Sequence, residues 1–120
     1  FAYLMIAQRQ YEDGQLAGWY NVGPDDCDCV TTGQLVELFK EKWGAGFDWV
    51  NQAEADAPHE ANFLKLDSTK LKTTFGWQPR WHIVEAIAKT CQWTRVWLVG
   101  GDVAGEMERE IEDFLGESKC

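Results

Sequence analysis

Apolar positions recur along the chain with two different periods. At the start, Phe1, Leu4, Met5, Ala7 and Tyr11 approximate one helical face, and Gly14 ends the pattern. Trp19, Tyr20 and Val22 favour a strand, and Gly23-Pro24-Asp25-Asp26 is turn chemistry. The next stretch is helical. Thr31 can cap it, Gln34 completes a capping box, and Leu35, Leu38, Phe39 and Trp43 form the stripe expected to be buried, with Gly44 as a left-handed stop. Phe47 to Asn51 alternates as a short strand does. Residues 52–62 show no period and predict a loop, and Phe63 to Leu66 is a further strand candidate.

The second half reads as helical. Asp67 or Ser68 caps a short helix with Leu71 and Phe75 inward, and Gly76 ends it. Trp77 follows the stop, and Pro79 cannot continue a helix because it has no N–H to donate. Trp81 then stands before a long helix in which Ile83, Val84, Ile87, Cys91, Trp93 and Trp97 predict broad burial. Gly100-Gly101 breaks it. A final acidic helix is expected to turn Met107, Ile111, Phe114 and Leu115 inward. The chain therefore reads as α/β, several helices with two or three short strands. Strands this sparse predict a sheet completed by a neighbouring domain, and an uncapped first helix with no initiator Met predicts a chain that continues upstream.

Composition narrows the possible roles. Hydrophobic residues make up 45% of the chain and include 7 Trp, enough to build a core and too many for a disordered segment. A net charge of −9 argues against a nucleic-acid partner, since a duplex selects a basic face. The acidity is local: residues 100–120 hold seven acids and two bases. This sets residues 102–120, an acidic helix or tail, apart from residues 1–101. No run spans a membrane and no signal peptide opens the chain, so a cytoplasmic protein is expected. Cys27, Cys29, Cys91 and Cys120 form no disulfide ladder, and His59 and His82 stand at no ligand spacing, so reduced cysteines and no metal are expected.

No self-contained catalytic constellation is visible. No G-x-G-x-x-G follows a strand, no Tyr has a Lys four residues on, and no G-x-S-x-G elbow occurs. The best candidate site is "DAPHEANF", which gathers His59, Glu60 and Asn62 on an irregular segment. His59 can donate to a phosphate or sugar oxygen and Glu60 can accept from sugar hydroxyls, or both simply face water. Arg80 is placed to stack on Trp77 or Trp81. Asp25, Asp26 and Asp28 read as solvated carboxylates ahead of the Thr31 helix, where the helix dipole favours them.

Three segments carry a family resemblance: "GWYNVGPDD", "TTGQLVELFKEKWG" and "PHEANFLKLDSTKLKTTFGWQPRWHIVEAIAKTCQWTRVW". Together they resemble the C-terminal part of the nucleotide-sugar dehydratases in the extended short-chain dehydrogenase/reductase superfamily. The D-x-x-K…G-W-x-P joint is shared across that superfamily, and the P-H-E-A…L-K-L-D version points to the branch acting on CDP-glucose. The resemblance implies a small substrate-binding domain beside a Rossmann domain, in a homo-oligomer that converts CDP-glucose to CDP-4-dehydro-6-deoxyglucose with NAD. It implies that the NAD loop and the catalytic residues lie upstream of Phe1, and that this chain alone is inactive. The task left to these residues is to hold the nucleotide and close the cleft, with His59, Glu60 and Asn62 in contact with substrate. Related dehydratases carry an Arg in this loop that meets the phosphates; Ala57 stands there here. A stand-alone nucleotide-sugar-binding module and an oligomerisation module remain open as alternatives.

Overall fold

A computed structural model describes residues 1–52 and 65–116. Five helices account for most of them: α1 (Ala2–Glu12), α2 (Thr32–Trp43), α3 (Thr69–Phe75), α4 (Ile83–Leu98) and α5 (Val103–Gly116). Two single 3-10 turns, Gly14–Leu16 and Asp26–Asp28, complete the regular structure. The expected α/β class does not hold, because no strand occurs among the described residues. The reason is pairing. Residues 19–22 and 47–51 are non-helical, but a strand is defined by a neighbour's N–H and C=O groups, and no ladder between described residues includes either segment. The third candidate, residues 63–66, lies half outside the described residues, and its described half is not a strand. No helix among the described residues is long and apolar enough to cross a membrane.

The chain divides into two compact units: residues 1–29 with 65–79, and residues 30–52 with 80–116. After α3 it passes from the first to the second at the end of the G-W-x-P joint, between Pro79 and Arg80.

The first unit is built from α1, both 3-10 turns and α3. Gln10 Nε2 donates to the carbonyls of Leu16 and Gly18, tying α1 to the turn that follows it. The Tyr20 hydroxyl donates to the Leu16 carbonyl at 2.8 Å, and its ring meets Phe75 at 4.9 Å between centroids. Lys70 Nζ lies 4.5 Å from the Tyr20 ring centre. Leu71 is the buried centre, with no exposed surface. Gly76 stops α3 in the left-handed region at φ 65°, ψ 19°, which a side chain would strain. The cap at the other end comes from Asp67, whose Oδ1 accepts from the Thr69 amide at 2.9 Å. Ser68 makes no such bond; its hydroxyl donates to the Gly23 carbonyl instead.

The second unit packs α2 and α5 against α4. Thr31 and Gln34 form the expected capping box: Thr31 Oγ1 accepts from the Gln34 amide, and Gln34 Oε1 accepts from the Thr31 amide. At the other end Gly44 has φ 78° but ψ −149°, so it ends α2 in a glycine-only conformation outside the left-handed helical well. Arg95, from α4, donates to the Lys42 and Trp43 carbonyls at 2.7 and 2.6 Å and lies over the Trp43 ring. One guanidinium thus satisfies two of the carbonyls that every helix C-terminus leaves open. Phe39 stacks on Trp43 and meets Phe47 edge-on. Leu35, at the end of the expected stripe, is exposed.

Two expectations for the last helices are corrected. Broad burial of α4 does not hold: Cys91 is its one fully buried residue, while Val84 and Trp97 are exposed. In α5, Met107, Ile111 and Leu115 are each more than half exposed. The side facing α4 carries Glu106, Asp113 and Phe114 instead. Three contacts fix that rotation: Trp81 edge-on to Phe114 at 5.0 Å, Lys89 to Asp113 at 2.6 Å, and Gln92 to Glu106. The apolar arc of α5 is wider than the strip α4 covers, so half of it stays outward.

Candidate functional site

The three residues singled out in the sequence, His59, Glu60 and Asn62, lie outside the described residues. The segments that flank them in sequence each line a concavity, one in each unit.

In the first unit, the P-D-D-C turn and the K-L-D-S-T segment leading into α3 border a polar cavity of about 660 Å³. Its walls are held by side chain to backbone bonds. Ser68, itself buried, donates to the Gly23 carbonyl at 3.3 Å, and Asn21 Nδ2 donates to the Asp67 carbonyl at 3.2 Å. Gly23 is needed for this close approach, since a Cβ there would stand 3.1 Å from the Leu66 Cβ. Hydrogen bonds from Thr69 hold the Asp67 carboxyl below the usual carboxylate range. Lys65 pairs with Asp26 at 3.2 Å and Lys72 pairs with Asp25. The expected solvated trio of aspartates is therefore corrected. Asp25 is paired, Asp28 is buried, and only Asp26 has a carboxylate mostly in water. Charge matching drew them in, because a turn rich in Asp faces a segment rich in Lys.

This cavity offers carboxylates, a hydroxyl and the exposed thiol of Cys27. Each lysine that lines it is already paired. A diphosphate would have to displace Asp25 or Asp26, whereas sugar hydroxyls can donate to those carboxylates without displacing anything.

In the second unit, α2 and the segment after it border an open groove of about 1110 Å³. Its apolar wall is Val30, Leu38, Phe47 and Trp49. Trp49 is fixed in orientation: its indole Nε1 donates to Glu37 at 3.0 Å and its amide donates to Asp48 at 3.0 Å. Lys40 pairs with Asp48 at 2.8 Å, which raises the lysine pKa and lowers the carboxyl's. A fixed indole beside apolar surface can take a planar ring. This groove carries the residues that directly precede the His59 segment in sequence.

Among the described residues the structure adds Asp25, Lys72, Ser68 and Trp49, none of which the sequence reading placed at a site. Their signal was complementarity, aspartates at 25 and 26 against lysines at 65, 70 and 72, with no spacing rule to join them. Arg80 is placed on a different ring from the two expected. It lies 4.9 Å over Phe114 and donates to the Phe114 carbonyl at 2.6 Å, so it serves the packing of the helical unit.

The chain is similar to nucleotide-sugar 4,6-dehydratases. It is 36% identical over 115 residues, 94% of its length, to CDP-glucose 4,6-dehydratase of Salmonella typhimurium, and the match falls in the C-terminal portion of that protein. It is 30% identical over 66 residues to dTDP-glucose 4,6-dehydratase of Streptomyces niveus, 55% of this chain and 19% of that protein. The chain spans about a third of the length of the first relative, 32%. No protein-family profile matches it. The resemblance read from "GWYNVGPDD" and the G-W-x-P joint is thus borne out.

Proposed function

We propose that this chain is the substrate-holding C-terminal part of an enzyme that converts CDP-glucose to CDP-4-dehydro-6-deoxyglucose. The observation that carries this is the 36% identity over 94% of the chain to CDP-glucose 4,6-dehydratase. In this reading residues 1–101 bind the nucleotide sugar and residues 102–120 are an acidic helix or tail. His59 donates to a diphosphate or ribose oxygen, while Glu60 and Asn62 bond hydroxyls. The paired lysines of the polar cavity fit a role beside the sugar better than one on the diphosphate.

The reaction class calls for NAD, and the residues present do not fit it. The sequence has no glycine-rich loop ahead of a helix, and Gly23, beside the polar cavity, packs on Leu66 and Ser68, which is chain packing rather than a cradle for a pyrophosphate. Oxidation at the sugar C4, loss of water across C5–C6 and return of hydride to C6 are therefore assigned to no residue of this chain.

Calorimetry on the full-length protein tests the substrate role. His59→Ala and Glu60→Gln should each weaken CDP-glucose binding by about tenfold to a hundredfold, the worth of one hydrogen bond to a charged group, and should leave NAD affinity unchanged. If both variants bind like wild type, the segment is only a connector.

A second reading has one observation in its favour. Tyr11 and Trp19 are more than 90% exposed in the first unit. Rings of that size favour protein cover, as in a homo-oligomer. Trp19→Arg should then lower the mass of the full-length assembly in light scattering; an unchanged mass rules out that surface.

A further inference from the structure

The α4–α5 packing contains a carboxylate with no use in the proposed function. Glu110 sits one turn beyond Glu106 on α5 and one turn before Phe114. Its neighbours on that side are all held. Glu106 is buried, accepting from Gln92 of α4 and from Arg109 of its own helix. Asp113 accepts from Lys89 of α4. Between these two satisfied acids, Glu110 Oε1 is buried and has no hydrogen-bond partner. An ionised oxygen in that position loses its water and gains nothing, while a protonated carboxyl is far cheaper to bury.

The charges around Glu110 do not cancel this cost. Lys89 favours the ionised form, but Glu106 and Asp113 oppose it, and Lys89 already serves Asp113. Glu85 of α4 faces Lys89 as a further acid. Arg80 lies over the Phe114 ring and donates to a backbone carbonyl. From these contacts we infer that α5 is a proton-tightened clasp on α4, closed most firmly when Glu110 is neutral and loosened when it ionises. Glu106, by contrast, requires its charge.

The two acids therefore pull in opposite directions. Burial pushes the Glu110 carboxyl up. A group whose folded pKa is raised contributes stability that is full below its free pKa, about 4.3 for Glu, and is lost as pH rises through the folded value. Hydrogen bonding by Arg109 pulls the Glu106 carboxyl down, so its contribution is present above the free value and is lost on acidification. Between pH 5 and 8 Glu106 stays ionised and Lys89, whose pKa Asp113 raises, stays protonated. Of the two acids, Glu110 is the one whose contribution falls as pH rises above its free value.

Hydrogen exchange on the full-length protein reads the clasp directly. Protection factors of the α5 amides should fall between pH 5 and pH 8, by about tenfold for each unit that Glu110 is raised, while α2 amides serve as the internal control. In Glu110→Gln the α5 protection should stay high at pH 8 and lose its slope. Glu110→Leu should do the same, which guards against a defect peculiar to the amide. Both variants leave every histidine in place, so a slope that persists in them belongs to another group. If α5 protection in wild type is flat from pH 5 to 8, or if both variants keep the wild-type slope, the proposal is overturned.

Discussion

At the scale of single residues, stability rests on few side chains. Leu71 and Cys91 are the two wholly buried apolar ones among the described residues. Leu71→Ala should destabilise the protein by about 2–5 kcal/mol, the range for emptying a buried leucine site, read as a lowered denaturation midpoint with an unchanged slope. Trp77, beside the G-W-x-P joint, is only half-buried, so Trp77→Ala should cost less than Leu71→Ala. The reverse order would mean that the joint, not α3, anchors the first unit. Cys91 is inert for a physical reason: burial pushes its thiol up, away from the thiolate that reagents attack. The exposed Cys27 should therefore take a maleimide label well before Cys91 in the folded protein.

At the scale of elements, local signals were legible and rotations were not. Thr31, Gln34 and Gly76 announced their roles, because a cap is decided by residues within one turn of each other. Thr31→Ala should cost about 0.5–2 kcal/mol through the lost capping box, visible as a lower midpoint in thermal denaturation followed by circular dichroism. The strands were misread because Trp19, Tyr20 and Val22 have the right composition for a ladder, but a ladder needs a partner that no local pattern supplies. The rotation of α5 was misread because its apolar arc is wide. The sequence permits Met107, Ile111 and Leu115 inward, and the observed choice follows from Lys89 and Gln92 on α4 and Trp81 just before it. Of the candidate site, the segment carrying His59, Glu60 and Asn62 lies outside the described residues. The Asp25–Lys72 and Asp26–Lys65 pairs were not legible, since their partners stand some forty positions apart.

At the scale of the whole molecule, the similarity to CDP-glucose 4,6-dehydratase covers nearly all of this chain and about a third of that relative. The polar cavity and the indole-walled groove supply hydroxyl-bonding and ring-stacking surface, and neither supplies a hydride carrier. The 120-residue chain by itself should therefore show no turnover, whereas the full-length protein should. The decisive measurement is to incubate full-length protein with NAD and either CDP-glucose or dTDP-glucose, and to follow the alkali-induced absorbance of a 4-keto sugar. The account predicts that product forms from CDP-glucose well ahead of dTDP-glucose, and that the 120-residue chain gives none. A full-length protein that leaves CDP-glucose unchanged, or a short chain that turns it over unaided, would contradict it.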